Sequence, residues 1–382
     1  MTATQPIGIL GAARTPVGKT PGIDSLTLHA QAAHAAITDA GIDPLAIDGI
    51  ITFGSFTRDY VMHSAVVAEF LGLRRIRYAD VVRIGGASAA GAVSRAVAAI
   101  SAGRCDTVLI VSGDDQLSGL TRDLAVKGMA ENRHYQYEAP YGVTTPAAFA
   151  MMARLYLQRH HLSEELLAHV TVQSRRTASK LPDAMYGKPC TVGEVNSSKP
   201  IADPLRMLHC APIADGGGAL VAGRGAPGEV VEVLGSGEAH SNAHLVFNPF
   251  DASSAAAASA GHAFQQAGVR PADLGAAQVY DCFASVVAQV LEEAGIAPAG
   301  RALYQFADGE YDVDGGLPVN LNGGLLSGGH PGMPGGLLHV VEAAEQVRGS
   351  ARVPVAGGKP VFVHCLGGIM SNHATLILGG GS

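Results

Sequence analysis

Short apolar, β-branched runs alternate along the chain with longer Ala-rich stretches, the pattern of strands feeding helices around buried sheets. Strands are predicted at Ile7 to Leu10, Gly49 to Phe53, Tyr78 to Val82 and Thr107 to Val111. Helices are predicted at Leu26 to Ala40, His63 to Leu71 and Ser88 to Ala102, with Gly41 and Gly103 placed to end the first and third. A more polar segment, Leu117 to Leu208, interrupts the alternation; it carries helices near Pro146 to His160 and Ser163 to Leu181 and reads as a helical insertion over one face. After a strand at Gly218 to Ala222 the pattern restarts. It gives strand Val230 to Leu234, helix Ser254 to Ala267, strand Ala277 to Val279, helix Ser285 to Ala294, a long loop, helix Met333 to Val347, and strands Pro360 to His364 and Thr375 to Leu378. The chain therefore reads as an architectural duplication, residues 1–225 against 226–382, with the insertion at about 117–208 inside the first half. No Pro- and Ser-rich linker separates the halves, so one packed α/β body is expected.

Composition narrows the function classes. The 382 residues are 47% hydrophobic and only 15% charged, which excludes a disordered chain. Basic residues are scattered within a net charge of -7, which argues against a nucleic-acid partner. No apolar run approaches the roughly 18 to 20 residues of a membrane span, and the first residues lack the regions of a secretion signal, so a cytoplasmic protein is expected. Five cysteines (105, 190, 210, 282 and 365) without a CxxC pair favour neither a disulfide framework nor a zinc site. No other metal-ligand spacing and no GxxxxGKS/T loop is present, and His160/His161 read as a solvated helix end.

Two glycine-rich turns hold equivalent places in the two halves. Gly85-Gly86-Ala87-Ser88-Ala89-Ala90-Gly91-Ala92 leads into a helix whose free amides suit an anion or a developing oxyanion; small residues there also simply permit close helix packing. The second runs from Asn320 through Asn322-Gly323-Gly324 to Gly329-His330-Pro331-Gly332. His330, fixed between Gly and Pro, is suited to donate to an oxyanion or to shuttle a proton. Cys365 stands at the predicted exit of a buried strand before Gly367-Gly368. It is either an inert core thiol or a catalytic one whose pKa the glycine amides lower.

These segments together resemble the thiolase superfamily, most closely the sterol-carrier-protein type of thiolase and its lipid-transfer-like bacterial relatives. The ordered set that carries the resemblance is Gly11-Ala12-Ala13-Arg14-Thr15-Pro16, Ile201-Ala202-Asp203-Pro204, Cys210-Ala211-Pro212-Ile213-Ala214-Asp215-Gly216-Gly217, Tyr280-Asp281-Cys282-Phe283, the His330 turn and Cys365-Leu366-Gly367-Gly368. The resemblance implies a duplicated five-layer αβαβα body with an inserted helical loop domain, a homodimer, and an acyl thioester of coenzyme A as substrate, with no bound cofactor. It also implies a possible partner protein with a small zinc-ribbon and oligonucleotide-fold (OB-fold) module.

Two departures separate this chain from thiolases. Gly86 stands where they carry the nucleophilic cysteine, and Tyr280 stands where they have Asn and the sterol-carrier type has His. Some lipid-transfer-like relatives carry tyrosine there and perform retro-aldol cleavage, although they usually lack the histidine kept here at 330. Thiolysis needs an acyl-enzyme, which glycine cannot form. Retro-aldol cleavage of a β-hydroxyacyl-CoA needs only proton transfer and enolate stabilisation. The catalytic candidates are therefore His330, Tyr280 and Cys365, with either of the last two handling protons and Tyr280 needing a strongly lowered pKa to act as base. The amides at Gly86 and Gly367 are the oxyanion candidates, Ser88, Asn322 and Gly329 the substrate-binding ones, and no residue is assigned to a metal. A Gly86→Cys side chain is expected to find room. The alternatives are thiolase-type acyl transfer through an unusual nucleophile, Ser88 or Cys365, and a non-catalytic acyl-CoA or lipid-binding subunit.

Overall fold

Each predicted alternation of apolar runs becomes a strand and a covering helix. The computed structural model describes residues 5–131, 133–248 and 255–380. In the first half, β1 (Ile7–Arg14), α1 (Ser25–Ala40), β2 (Gly49–Thr52), α2 (His63–Phe70), β3 (Tyr78–Val81), α3 (Ser88–Ser101) and β4 (Val108–Asp114) follow in order. The inserted segment contributes α4 (Gln116–Gly119), α5 (Arg122–Glu131), α6 (Thr145–Arg159), α7 (Leu167–Ala178), α8 (Val192–Ser197) and a small hairpin of β5 (Pro200–Ala202) and β6 (Leu205–Arg206). Then come β7 (Gly216–Arg224), β8 (Val231–His240), α9 (Ala255–Ala267), β9 (Ala276–Val279) and α10 (Ala284–Glu293). The chain finishes with α11 (Ala302–Ala307), α12 (Gly324–Gly328), α13 (Gly335–Arg348), β10 (Val361–Gly367) and β11 (Asn372–Gly379).

Strand order in the main sheet is β3-β2-β4-β7-β1-β8-β11-β10-β9. Read outward from the β1–β8 junction, each half places its first strand inside, then its last, with the remaining strands toward the edge, so the two halves of the sheet have mirrored topology. Within the main sheet the halves meet along β1 and β8, where Gly8 pairs with Glu232 and Ile9 with Val231. Helices α3 and α13 lie between them: one core cluster unites Ile9, Ile51, Ile110 and Leu220 of the first half with Val361, Val363, Leu376 and Leu378 of the second and with apolar residues of both helices. α1 and α2 cover the outer face of the first half and α9 and α10 that of the second. The layers are thus αβαβα.

Helix α1 is capped by Asp24, which accepts from the Thr27 amide, and ends at Gly41 with φ 63. Glycines in β1 and β8 have matching jobs. A Cβ on Gly11 would overlap the Ala36 carbonyl of α1, and one on Gly235 the Ala263 carbonyl of α9, so each outer helix presses onto strand backbone.

Several elements differ from the sequence pattern. β4 extends to Asp114 because its polar Ser112 and Asp114 still pair with Gly218 and Gly216 of β7; backbone pairing ignores the polarity that breaks the hydrophobic pattern. The segment from Ser163 splits into a 3-10 turn, Glu164–Leu166, and α7. Ser254, the predicted start of a helix, lies outside the described residues, as do the first four residues of the chain. β10 runs on to Gly367, so Cys365 is inside a strand, not at its exit.

Among the described residues no helix is long and apolar enough to cross a membrane. Nor do they include a group of three or more His, Cys, Asp or Glu side chains that could hold a metal ion.

Candidate active site

The two glycine-rich turns meet where the halves face each other. Gly367, at the end of β10, packs its backbone on Ile84 and Gly85, so close that a Cβ on Gly367 would overlap the Ile84 carbonyl. Tyr280 continues β9, its amide donating to the His364 carbonyl at 2.9 Å. Its ring lies against Gly86: a Cβ built on Gly86 would stand within 2.5 Å of Tyr280 Cε2 and of the Leu366 carbonyl oxygen. The phenol therefore fills the volume that a side chain at position 86 would use. A side chain at 86 and the tyrosine ring at 280 therefore exclude each other, and the expectation that Gly86→Cys finds room is corrected on that ground.

His330 is held from both sides by the Cys210-to-Asp215 motif. Its amide donates to the Pro212 carbonyl at 2.8 Å and its carbonyl accepts from the Ala214 amide at 3.0 Å. Asp215 anchors this strap, accepting from the amides of Thr20, Leu117 and Ser118 and from the Ser118 and Thr20 hydroxyls. The Gly332 amide donates to His330 Nδ1 at 3.0 Å, which leaves the ring proton on Nε2 in the neutral form. Nε2–H then donates to Tyr280 Oη at 2.7 Å, with the two rings perpendicular. Burial lowers the His330 pKa to about 4, against a raising influence of Asp281, so the ring is neutral at neutral pH. Both nitrogens are thus engaged within the protein. With Nε2–H as donor, the Tyr280 hydroxyl accepts this bond, and its own O–H donates to no other group among the described residues.

Burial also sets the other candidates, and in the opposite direction to the sequence expectation. Tyr280 is 5% exposed, and desolvation pushes its phenol well above the ordinary value, so it rests protonated. Cys365 is wholly buried, its thiol pushed up to about 12 by desolvation despite an opposing backbone hydrogen bond from Ala90. Its Sγ approaches the Gly336 carbonyl at 3.8 Å, beneath the contact between Gly336 and Gly86. The glycine amides do not produce a thiolate, because the strand places the sulfur in the core.

The three expected substrate contacts are occupied elsewhere. Ser88 is fully buried and its Oγ accepts from the Ile84 amide at 3.0 Å, closing the turn. Asn322 accepts from the Gly324 amide and donates to the Leu338 carbonyl. Gly329, at φ 107, faces Val17, Ala214 and Met185 in a buried bend.

Three residues that the sequence reading passed over shape the site. Asn320 clamps the end of β9, accepting from the Val279 amide at 2.7 Å and donating to its carbonyl at 2.8 Å. Asp281 accepts from the amides of Leu325 and Leu326, which ties the second turn to the tyrosine segment; a Cβ on Gly324 would overlap this carboxylate. His339 lies 3.3 Å from Asp281 and bonds Gln278. A histidine inside the apolar stretch Leu337 to Val341 was the available signal for the last.

Comparison with known proteins follows the same lines. Residues 7–204 match the thiolase N-terminal domain and 235–380 the thiolase C-terminal domain-like family. A steroid side-chain-cleaving aldolase of Thermomonospora curvata is 31% identical, over 90% of each chain. A 17-hydroxy-3-oxo-4-pregnene-20-carboxyl-CoA lyase of Mycobacterium tuberculosis is 31% identical over 97% of this chain and 98% of that one. An acetyl-CoA acetyltransferase of Methanothermobacter thermautotrophicus is 30% identical over 95% and 96%. Among solved structures, one described as an Ltp2-ChsH2(DUF35) aldolase superposes with a TM-score of 0.86 at 29% identity, covering 98% of both chains. With both halves matched, the topology mirrored and relatives at this identity spanning nearly the whole length, the chain belongs to the thiolase superfamily, in its branch resembling the sterol carrier protein 2 thiolases.

Proposed function

We propose that this protein cleaves, or in reverse forms, a C–C bond in a β-hydroxyacyl-CoA thioester by retro-aldol chemistry, without an acyl-enzyme. The observation that carries this reading is the Tyr280 ring seated in the space of a nucleophile at 86 and hydrogen-bonded to His330. The aldolase and lyase relatives support the reaction class, and the lyase supports a CoA thioester.

In this mechanism the Cα–Cβ bond breaks as the β-hydroxyl becomes a carbonyl, and its electron pair moves onto the thioester as an enolate. The two proton movements occur in the same step: the β-hydroxyl proton passes to Tyr280 Oη while the proton that Tyr280 already carries passes to Cα, so the phenol is restored and one residue closes the proton balance. The His330 Nε2–H stabilises the negative charge that gathers on Tyr280 Oη as its proton departs, which offsets the burial that otherwise disfavours it. We place the enolate oxygen at the backbone amides of the Gly86 and Gly367 turns. Cys365, a buried thiol at neutral pH, is assigned to packing under Gly336 rather than to proton transfer.

We infer further that two copies associate through the edge strand β3 and the loop before α2. The loop supports this with Phe56, Val61 and Met62 at 52%, 103% and 70% exposure beside an unpaired strand edge. A second, small subunit of the zinc-ribbon and OB-fold kind fits a chain similar to the Ltp2-ChsH2(DUF35) aldolase.

The test is incubation of the purified chain, with and without such a subunit, with paired β-hydroxyacyl-CoA and β-ketoacyl-CoA substrates. The expected result is release of a carbonyl product and a shortened acyl-CoA from the first alone, with an unmodified chain by intact mass. Thiolysis of the keto substrate, or an acyl adduct on Ser88 or Cys365, defeats the reading in favour of acyl transfer.

A further inference from the structure

Helix α13 passes directly beneath Tyr280. A Cβ on Gly335, at its start, would stand 3.5 Å from the Tyr280 ring and hydroxyl. His339 follows one turn later on the same face, with its ring centred 6.0 Å from that of Tyr280. Its helix neighbours Leu337, Leu338, Val340 and Val341 are buried apolar residues, and His339 itself is wholly buried. Packing alone would be met by another leucine, and a buried polar ring is costly unless its nitrogens are used.

Hydrogen-bond bookkeeping gives the charges. Asp281, also wholly buried, accepts from the Leu325 amide at one carboxylate oxygen, 2.7 Å away, and from the Leu326 amide at the other, 3.1 Å away. Amide donors at both oxygens favour the ionised carboxylate. His339 turns both of its nitrogens toward acceptors: with the Gln278 amide in its present orientation, Nδ1 lies 3.2 Å from Gln278 Oε1, and Nε2 lies 3.3 Å from Asp281 Oδ1. Asp281 has no other ion-pair partner among the described residues. An imidazole set between two oxygen acceptors carries a proton on each nitrogen, and the positive charge this gives is the one a buried carboxylate requires.

The consequence falls on Tyr280. After burial, the groups that hold its phenol high are Cys282, Cys365 and Asp281. Burial raises both thiols as well, Cys365 to about 12, so at neutral pH the carboxylate is the charged one of the three. On His330, where burial again acts first, Asp281 and His339 pull in opposite directions. The carboxylate ties the His330 turn to the tyrosine segment, yet unopposed it would penalise the negative charge that gathers on Tyr280 Oη.

We propose that His339 is a positioning residue that acts through Asp281: as an imidazolium it cancels the carboxylate beneath Tyr280, so the segment is held in place without raising the barrier to proton transfer at the phenol. The kinetic role rests on the retro-aldol reading above, whereas the charge couple stands apart from it.

The experiment compares the parent chain, His339→Gln and the double variant Asp281→Asn/His339→Gln, each full-length, alone and with the small subunit, with urea unfolding to verify folding. Ring-nitrogen NMR of chain labelled with ¹⁵N-histidine reads the charge couple, the His339 signals being those lost in His339→Gln. Both of its nitrogens are expected to be protonated at pH 7. Cleavage is followed by release of the aldehyde and acetyl-CoA from 3-hydroxybutyryl-CoA and 3-hydroxy-3-phenylpropanoyl-CoA. His339→Gln is expected to lower kcat about 10- to 100-fold with KM changed less than about threefold, the effect of one uncompensated charge near the reacting oxygen. The double variant, which removes both charges, is expected to recover at least about fivefold of that loss. His339→Asn replaces the glutamine variant if that one does not fold. A bare ring nitrogen on His339 at pH 7, or a double variant no faster than the single, overturns the proposal, since a merely structural histidine gives further loss when its partner is also changed. Failure of the parent to cleave either thioester defeats the retro-aldol reading instead, and the NMR result still decides the charge couple.

Discussion

Placing a thiol at position 86 tests this steric exclusion directly. In Gly86→Cys the new Cβ must enter space within 2.5 Å of the Tyr280 ring and the Leu366 carbonyl. Neither yields easily: Leu366 is inside the β10 ladder, and Tyr280 is held at both ends, by its amide to His364 and its hydroxyl to His330. Gly86 has no left-handed φ, so the cost is one of space and not of backbone strain. Overpacking a tight core costs about 1–3 kcal/mol, and parting Tyr280 from His330 adds about 1–3 kcal/mol for a buried donor left unpaired, which together give about 2–6 kcal/mol. Urea unfolding of Gly86→Cys, Tyr280→Asn and the double variant reads this out. The double variant is expected to be more stable than the sum of the singles predicts, with a coupling of about 0.5–3 kcal/mol. Intact mass after incubation with acetyl-CoA should reveal an adduct in the double variant alone, where the thiol has room. A single Gly86→Cys variant as stable as the parent and still cleaving its substrate, or strictly additive singles, would refute the reasoning.

The remaining expectations follow from the same geometry. Tyr280→Phe removes the transferable proton and should lower turnover by about 100- to 10,000-fold, whereas His330→Ala, which acts through Tyr280, should cost about 100- to 1,000-fold in kcat with less effect on KM. Cys365→Ala should leave turnover within a few fold and cost mainly stability, and the wild-type thiol, buried and pushed up to about 12, should resist alkylation at pH 7.5 with or without acyl-CoA. Stability should fall as the pH drops from 6.5 toward 4. Burial lowers His29, His209, His330 and His373 to about 4, so the unfolded chain binds more protons in that window, and each ring contributes a loss of about 2 kcal/mol at pH 5. Asp114, which burial pushes up to about 6, and Glu345, which burial also raises, oppose this by gaining protons in the native state first, but the buried histidines outnumber them. Urea midpoints at pH 7.5 and 5.0 check the sign, and His29→Gln should flatten the dependence.

Periodicity was enough to place most strands and helices, because each depends on local backbone geometry and on which face of an element is apolar. The glycine at 86 and the histidine at 330 were legible for a related reason: they are identities at fixed offsets from turn residues. What the residues do once assembled was decided elsewhere. Tyr280 and Gly86 come from opposite halves of the chain, and only their approach across the β10 turn makes one side chain exclude the other. The thiol of Cys365 and the phenol of Tyr280 take the protonation state set by the medium around them, and desolvation is a property of the packed body that no local window contains. The Ser88 hydroxyl and the Asn322 amide bond the backbone of their own turns, a use of side chains that only the folded turns reveal, because buried amides must find partners where the chain closes.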